Sequence, residues 1–233
     1  MLIQSLQNKR IIELSKLSKK KYRDQSKSYL VFNDNIIKEA IAKDMLLTII
    51  TTDNNYETDY EVLYVTDEIM NKLCDVKPNP KTIAQVKMDD SNNFNSKRVL
   101  VIDELQDPGN LGTILRTACA LGINNIFIGD GSVDVYNPKV VRSMQGVEFH
   151  LNFKYGDVCE YLLSSSIPIV TTFLDEENQV NGKLKEFNLV IGNEGRGINP
   201  KIKELNHLNK KIDIKFESLN VAIATAIILN EIR

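Results

Sequence analysis

The chain has 233 residues, 42% apolar and 26% charged, proportions of a soluble protein with room for one large domain or two modest ones. Its net charge of −2 hides an uneven distribution, because residues 8–28 hold eight bases against two acids, a local +6 that leaves −8 for the remainder. Three scattered cysteines without CxxC spacing and two isolated histidines exclude a disulfide framework and a zinc site, and imply a reducing, cytoplasmic setting.

The opening MLIQSLQNKR has no apolar run behind its charges, so no signal peptide is expected. Residues 4–21 read as one helix, with Leu6, Ile11, Ile12, Leu14 and Leu17 forming a rough apolar stripe among lysines. The bases of this region are Lys9, Arg10, Lys16, Lys19, Lys20, Lys21, Arg23 and Lys27. Two readings stay open for them: a solvated helix face, or contact with a polyanion. YLVF (29–32), LLTIITT (46–52) and EVLYVT (61–66) read as strands, and NIIKEAIAKD (35–44) as a helix. KMDDSNNFNSK (87–97) has the composition of a linker, which places a small α/β domain at 1–90 and a second domain at 97–233.

Past the linker, RVLVIDEL (98–105) reads as a strand, NLGTILRTACALG (110–122) as a helix and NIFIGD (125–130) as a strand. FHLNFKY (149–155), IPIVTTFLD (167–175), LVIGNE (189–194) and KKIDIKF (210–216) read as further strands, and SLNVAIATAIILNEIR (218–233) as a closing helix. The apolar run VAIATAIIL within that helix is too short to span a bilayer. Apolar strands alternating with helices imply a mostly parallel sheet covered on both faces, and such sheets bind ligands beyond their strands' carboxyl ends.

Three loops follow strand ends: QDPGNLGTILRT (106–117), GNEGRGI (192–198) and ESLNVAIA (217–224). The first looks like a nucleotide loop, but GxGxxG is absent and no Gly-Lys-Ser/Thr follows, which disfavours a nicotinamide-dependent oxidoreductase and excludes a P-loop. Asp107-Pro108-Gly109 makes a turn, Asn110 reads as the helix N-cap, and the free N–H groups there suit an anion. Arg116, nearly two turns on, is expected close to the same face; pairing with a nearby carboxylate is its plainer alternative. GNEGRG sets Glu194 and Arg196 among three glycines, a loop fit for close approach to a planar or anionic ligand. In the third loop Ser218 reads as the cap of an unusually apolar helix.

Taken in order, DPGNLGTILRTACALG, LVIGNEGRGI and SLNVAIATAIIL are similar to the three motifs of the SPOUT-class RNA 2′-O-ribose methyltransferases of the SpoU/TrmH type. Between them, VDVYNPKVVRSMQG resembles that family's usual intervening segment, and IQSLQNKRIIELSKLSKKKYRD resembles the small domain that often precedes the catalytic one. The resemblance implies an α/β fold: a C-terminal, mostly parallel sheet with a deep trefoil knot, preceded by a small α/β RNA-binding domain. It also implies S-adenosylmethionine as methyl donor, no metal, and a homodimer formed through the knot region. Carried over residue by residue, the cofactor contacts fall on Thr172, Gly192, Glu194, Gly195, Ile212, Leu219 and Asn220. The catalytic positions are Asn110, Arg116, Glu194, Ser218 and Asn220. The RNA-facing bases are Lys9, Arg10, Lys19, Lys20, Lys21, Arg23 and Arg142.

The implied substrate is structured RNA, of the 23S ribosomal type before transfer RNA; a non-catalytic RNA-binding protein of the same fold is the reading from another class. A guanidinium is a poor base, since its pKa exceeds about 12, so an electrostatic role suits Arg116 better than proton abstraction. The chain departs from the family pattern at IDIKFESLN, where Asp213 replaces a proline and a glycine is missing. Met144 stands where a serine is common, and YLVFNDN lacks the usual Glu-Gly.

Overall fold

A computed structural model gives the structure of residues 2–74, 76–89, 93–95, 97–173, 178–215 and 217–233. Two units divide the chain: Met1–Asp90 with Tyr136–Phe149, and Ser91–Val135 with His150–Arg233.

In the first unit a short strand, β1 (Leu2–Ile3), precedes α1 (Lys9–Lys16), which starts where Asn8 Oδ1 accepts the Arg10 N–H at 2.9 Å. The helix expected over 4–21 is in fact two helices, because α2 (Lys20–Ser26) begins afresh after a turn. The physical reason lies in Leu17. Its side chain is buried, and its carbonyl accepts from the Arg23 guanidinium at 2.8 Å instead of continuing the helical ladder. Then follow β2 (Ser28–Val31), α3 (Asp34–Ala42), β3 (Leu46–Thr51), β4 (Val62–Val65), α4 (Asp67–Leu73) and β5 (Thr82–Lys87). The strands make one mixed sheet in the order β1-β4-β3-β5-β2, antiparallel where β5 meets β2 and β3. Ile11, Leu14 and Leu17 close over Leu30, Ile50 and Ile83 of this sheet, with Ile69, Met70 and Leu73 of α4 completing the core.

The second unit starts with β6 (Arg98–Ile102), α5 (Pro108–Ala120) and β7 (Asn125–Gly129). The chain then returns to the first unit, where α6 (Pro138–Met144) packs against β2. Its second passage through the second unit carries β8 (Asn152–Gly156), α7 (Val158–Ser164), β9 (Ile169–Thr171), β10 (Phe187–Ile191), β11 (Leu208–Asn209) and α8 (Val221–Ile232). All five strand pairs of this sheet, ordered β11-β9-β10-β6-β7-β8, are parallel. The mostly parallel α/β sheet expected from the alternation is therefore present.

From β6 the chain moves to β7 and β8 on one side, then to β9 and back to β10 on the other. The carboxyl ends of β6 and β10 lie side by side in register, Ile102 opposite Ile191. That reversal of direction is the kind of place where open parallel sheets bind ligands.

The strand expected over 210–216 is not formed across residues 210–215, and Phe216 lies outside the described residues. The ladder stops at Asn209 because its partner β9 ends at Thr171, whose carbonyl takes the Lys210 N–H at 2.8 Å. Of the other expected segments, residues 174–175 of the 167–175 strand and residues 90–92 and 96 of the linker also lie outside the described residues.

Candidate active site

Beyond Ile102 the chain turns through Asp103 and Glu104 into the loop before α5. Asp103 is buried and its carboxylate accepts the Asn199 N–H at 2.6 Å. Burial pushes the Asp103 carboxyl up from its ordinary value, and the Asn199 bond partly opposes this.

The cap of α5 is Asp107, not Asn110. Pro108 occupies the first helical turn, where its missing N–H costs nothing, and the Asp107 carboxylate takes the Asn110 N–H at 2.7 Å. The amide side chain of Asn110 is thereby released for other partners. Its Nδ2 donates to Glu194 Oε1 at 3.3 Å, and its Oδ1 accepts from Asn220 Nδ2 at 3.0 Å.

Likewise the cap of α8 is Asn220 rather than Ser218. Asn220 Oδ1 accepts the N–H groups of Ala222 and Ile223 at 2.9 and 3.4 Å, while its amide nitrogen reaches Asn110. Ser218 is exposed, two residues before the cap. One asparagine thus ends a loop, starts a helix and joins the first motif to the third.

The free N–H groups of the first loop do hold an anion, and it belongs to the protein. Gln106 N and Asp107 N donate to the two Glu194 oxygens at 3.2 and 3.0 Å. Burial alone would raise the Glu194 carboxyl, but bonds from its own N–H, from Asp107 and Gln106 and from the Asn110 amide hold it below its ordinary value. An ionised carboxylate with this many donors is an anchor and a poor proton acceptor.

The glycine loop is closed on itself by Asn193 and Gly197, whose N–H and C=O groups bond each other at 2.9 Å both ways. Asn193 Oδ1 accepts from Gly195 N and Arg196 N at 2.9 and 3.0 Å, and its Nδ2 donates to the Glu104 carbonyl at 2.9 Å. Gly192 has no alternative here: a Cβ would collide with the Gly197 carbonyl and the Ile198 nitrogen.

The other expected cofactor positions cluster by topology. Thr172 follows β9, Gly192, Glu194 and Gly195 follow β10, and Ile212 follows β11, so these segments leave the carboxyl ends of three adjacent parallel strands. Thr172 and Ile212 are half-buried, and Leu219 is exposed beside Asn220.

Arg116 stands apart from this set. Six residues put it about 120° round α5 from Asn110 rather than on one face. It is exposed, and among the described residues no hydrogen bond or ion pair engages it. Its guanidinium is open to solvent.

In the first unit Lys9, Lys19, Lys20 and Lys21 are exposed, with Lys20 3.3 Å from Asp24. Arg23 corrects the sequence expectation: it is 3% exposed and satisfies the Leu17 carbonyl, so it holds the α1–α2 turn and does not face RNA. Arg10 is also engaged internally, donating to Gln85 Oε1 at 2.8 Å and Thr48 Oγ1 at 3.3 Å. Arg142, on α6, is half-buried. Among the described residues no three acidic, histidine or cysteine side chains are placed to hold a metal, and no helix is long and apolar enough to cross a membrane.

A parallel α/β sheet whose first, second and third motif loops meet through Asn110, Glu194 and Asn220 defines the class. Residues 97–230 match the SpoU rRNA Methylase family, and the chain belongs to it. Among known proteins, it is 30% identical over 244 residues to the 23S rRNA (guanosine(2553)-2′-O)-methyltransferase RlmP of Bacillus subtilis, covering 99% of this chain and 98% of that one. The structure of an RNA 2′-O ribose methyltransferase aligns with a TM-score of 0.82 at 25% identity, over 98% of this chain and 96% of that chain. An AdoMet-bound rRNA methyltransferase from Sinorhizobium meliloti shares the fold, with a TM-score of 0.84 at 22% identity over 98% and 95% of the two chains.

Proposed function

We propose that this enzyme transfers a methyl group from S-adenosylmethionine to a ribose 2′-hydroxyl of 23S-type ribosomal RNA. The observation that carries the reading is the hydrogen-bonded chain Asn220–Asn110–Glu194 at the paired ends of β6 and β10. It unites the three motif loops where a ligand of this sheet type binds. The near end-to-end similarity to a 23S ribosomal enzyme favours ribosomal over transfer RNA as substrate.

The residues present fit the cofactor. The turn around Gly192 packs against the Gly197–Ile198 backbone with no room for a side chain, which fixes the shape of the loop, while half-buried Ile212 and exposed Leu219 offer apolar surface. When bound, S-adenosylmethionine supplies an electrophilic methyl on its sulfonium. Gly192, Glu194 and Gly195, with Thr172, Ile212, Leu219 and Asn220, would hold it. Glu194 locks the first loop to the second, and Asn110 and Asn220 fix one another's amides, so the site is ordered before substrate arrives. Arg116 stabilises the oxyanion that develops as the ribose hydroxyl loses its proton, or grips the adjacent phosphate. Ser218 is left to orient the hydroxyl. Exposed Lys9, Lys19, Lys20 and Lys21 neutralise RNA phosphates from the first unit.

The knot of this fold class belongs to the same reading. After β10 the chain visits the β9 edge as β11, then returns to α5, where Arg233 donates to the Leu121 carbonyl at 3.3 Å. A second copy is the proposed partner of the knot region, because Ile214, Leu219 and Ile223 leave 42%, 38% and 53% of their surfaces exposed.

The experiment is methyl transfer from labelled S-adenosylmethionine to 23S rRNA fragments and, in parallel, to transfer RNA, with the product nucleotide identified by mass spectrometry. Label appearing on a ribose of 23S rRNA supports the reading. Label on transfer RNA alone redirects the substrate, and no label with saturable RNA binding leaves the binding-only protein.

A further inference from the structure

Glu104 occupies a costly conformation. Its φ of 54° lies in the left-handed region, which a residue carrying a Cβ adopts only under strain. Three loops meet on it. Its carbonyl takes the Asn193 amide at 2.9 Å and the Gln106 amide at 3.4 Å. Its side chain lies over Gly131, whose missing Cβ would come within 3.4 Å of the Glu104 Cγ. Its carboxylate pairs with the Arg196 guanidinium at 2.5 Å. Arg196 sits inside the turn that Asn193 and Gly197 close, so the pair ties that turn to the end of β6 by a third route, beside Glu194 and the Asn193 amide.

We propose that Glu104 and Arg196 act as positioning residues, a clasp that holds the glycine loop in the shape that receives S-adenosylmethionine. The proposal rests on the placement of the cofactor at residues 192–195. The backbone conformation at Glu104 supports it: a glycine would serve the turn alone with less strain, and only a side chain supplies the carboxylate. The pair is solvent-facing, with 73% of the Arg196 side chain and 41% of the Glu104 side chain exposed, so its effect on affinity is modest and screened by salt. Preordering a loop lowers the cost of binding and leaves the chemical step alone.

Calorimetric titration of the purified full chain with S-adenosylmethionine, together with steady-state kinetics, tests this. E104G and E104Q are expected to raise the dissociation constant and the KM for the cofactor about threefold to fivefold, with kcat at saturation within twofold of the parent. The melting temperature of E104G is expected to hold or rise, since strain is relieved. A merely structural role would lower stability and affinity together. The charge swap E104R with R196E restores affinity, and the cofactor affinity of E104Q loses much of the parent's salt dependence. Dissociation constants for E104G and E104Q within 1.5-fold of the parent overturn the clasp. G195L, whose Cβ meets only the Asn193 Oδ1 at 3.6 Å, separates the two layers at a parental melting temperature: if it binds cofactor like the parent, the placement at this loop is wrong, whereas lost binding in G195L with unchanged binding in E104Q sinks the clasp alone.

Discussion

Asn220 Nδ2 donates to Asn110 Oδ1 at 3.0 Å, so the residue that caps the last helix also fixes the amide of a residue in the first turn of α5. The two functions separate by substitution. Asn220→Asp keeps a capping oxygen and loses the donor; its kcat/KM is expected to fall about tenfold or more with little change in melting temperature. Asn220→Ala loses both and is expected to cost about 1 kcal/mol of stability besides. Combining Asn220→Asp with Asn110→Ala should cost little beyond the worse single variant, because the two residues act as one unit. Additive losses in that cycle would contradict the coupling.

Glu194 is expected to be ionised throughout the working range, so its ionisation produces no inflection in the pH–rate profile between about pH 6 and 9. The stability consequence has a definite sign. A carboxyl held below its ordinary value stabilises the fold above the unfolded pKa, and the contribution is lost as pH falls through the folded one. The difference in melting temperature between the parent and Glu194→Gln should therefore be present at pH 7 and close as pH drops below about 4. A gap that persists into strong acid would show that Glu194 contributes by packing alone.

Glu148, 3% exposed beside Tyr29 in the first unit, behaves in the opposite way. Burial pushes it up to about 7, offset in part by the backbone N–H groups of Glu148 and Gly146 and by the Tyr29 hydroxyl, and reinforced by Glu39. A raised carboxyl favours the protonated fold. Stability is expected to decline as pH rises from the ordinary carboxylate range to about 7 and to level off above it. Glu148→Gln should flatten that decline, with its greatest advantage near pH 8, as measured by thermal melts across about pH 5–8.5.

Arg116→Lys and Arg116→Ala are expected to lose about 100-fold or more in kcat, with cofactor binding intact. Lysine brings charge without the planar fork, so near-parental turnover in Arg116→Lys would remove any specific guanidinium role.

The exposed and buried bases of the first unit should part company. Replacing Lys19, Lys20 and Lys21 by alanine is expected to flatten the salt dependence of RNA binding, by about 0.7–0.9 in log–log slope for each phosphate left without its cation. Arg23→Ala is expected to lower the melting temperature instead, because it strands the Leu17 carbonyl inside the α1–α2 turn. Filter binding across a salt series, with melts alongside, distinguishes the two.

The motif loops are legible in the sequence because glycine, proline and asparagine mark them, and the parallel sheet because apolar strands alternate with helices. The capping residues are not. DPGN contains two residues able to cap, and the proline between them decides for Asp107, since a helix that starts at Pro108 has its cap one position earlier. With SLN the choice of Asn220 over Ser218 sets where α8 starts. The α1–α2 break is hidden because helical periodicity continues across it, and only the bond from Arg23 reveals where the Leu17 carbonyl goes. The partners of Glu194 are beyond any local reading. They depend on β10 lying beside β6, a pairing of strands separated by most of the domain.

The return of Tyr136–Phe149 to the first unit has a practical bearing on dissection of the molecule. The polypeptide passes between the two units three times. A single cleavage in the linker near residue 90 would leave the fragments associated through α6, since Val140, Val141 and Met144 are buried in the unit from which the cut was meant to release them. Expression of residues 97–233 alone would deprive that helix of β2 and expose its apolar side. An isolated second unit would need a short bridge in place of 136–149, and the first unit would need that strip supplied from outside.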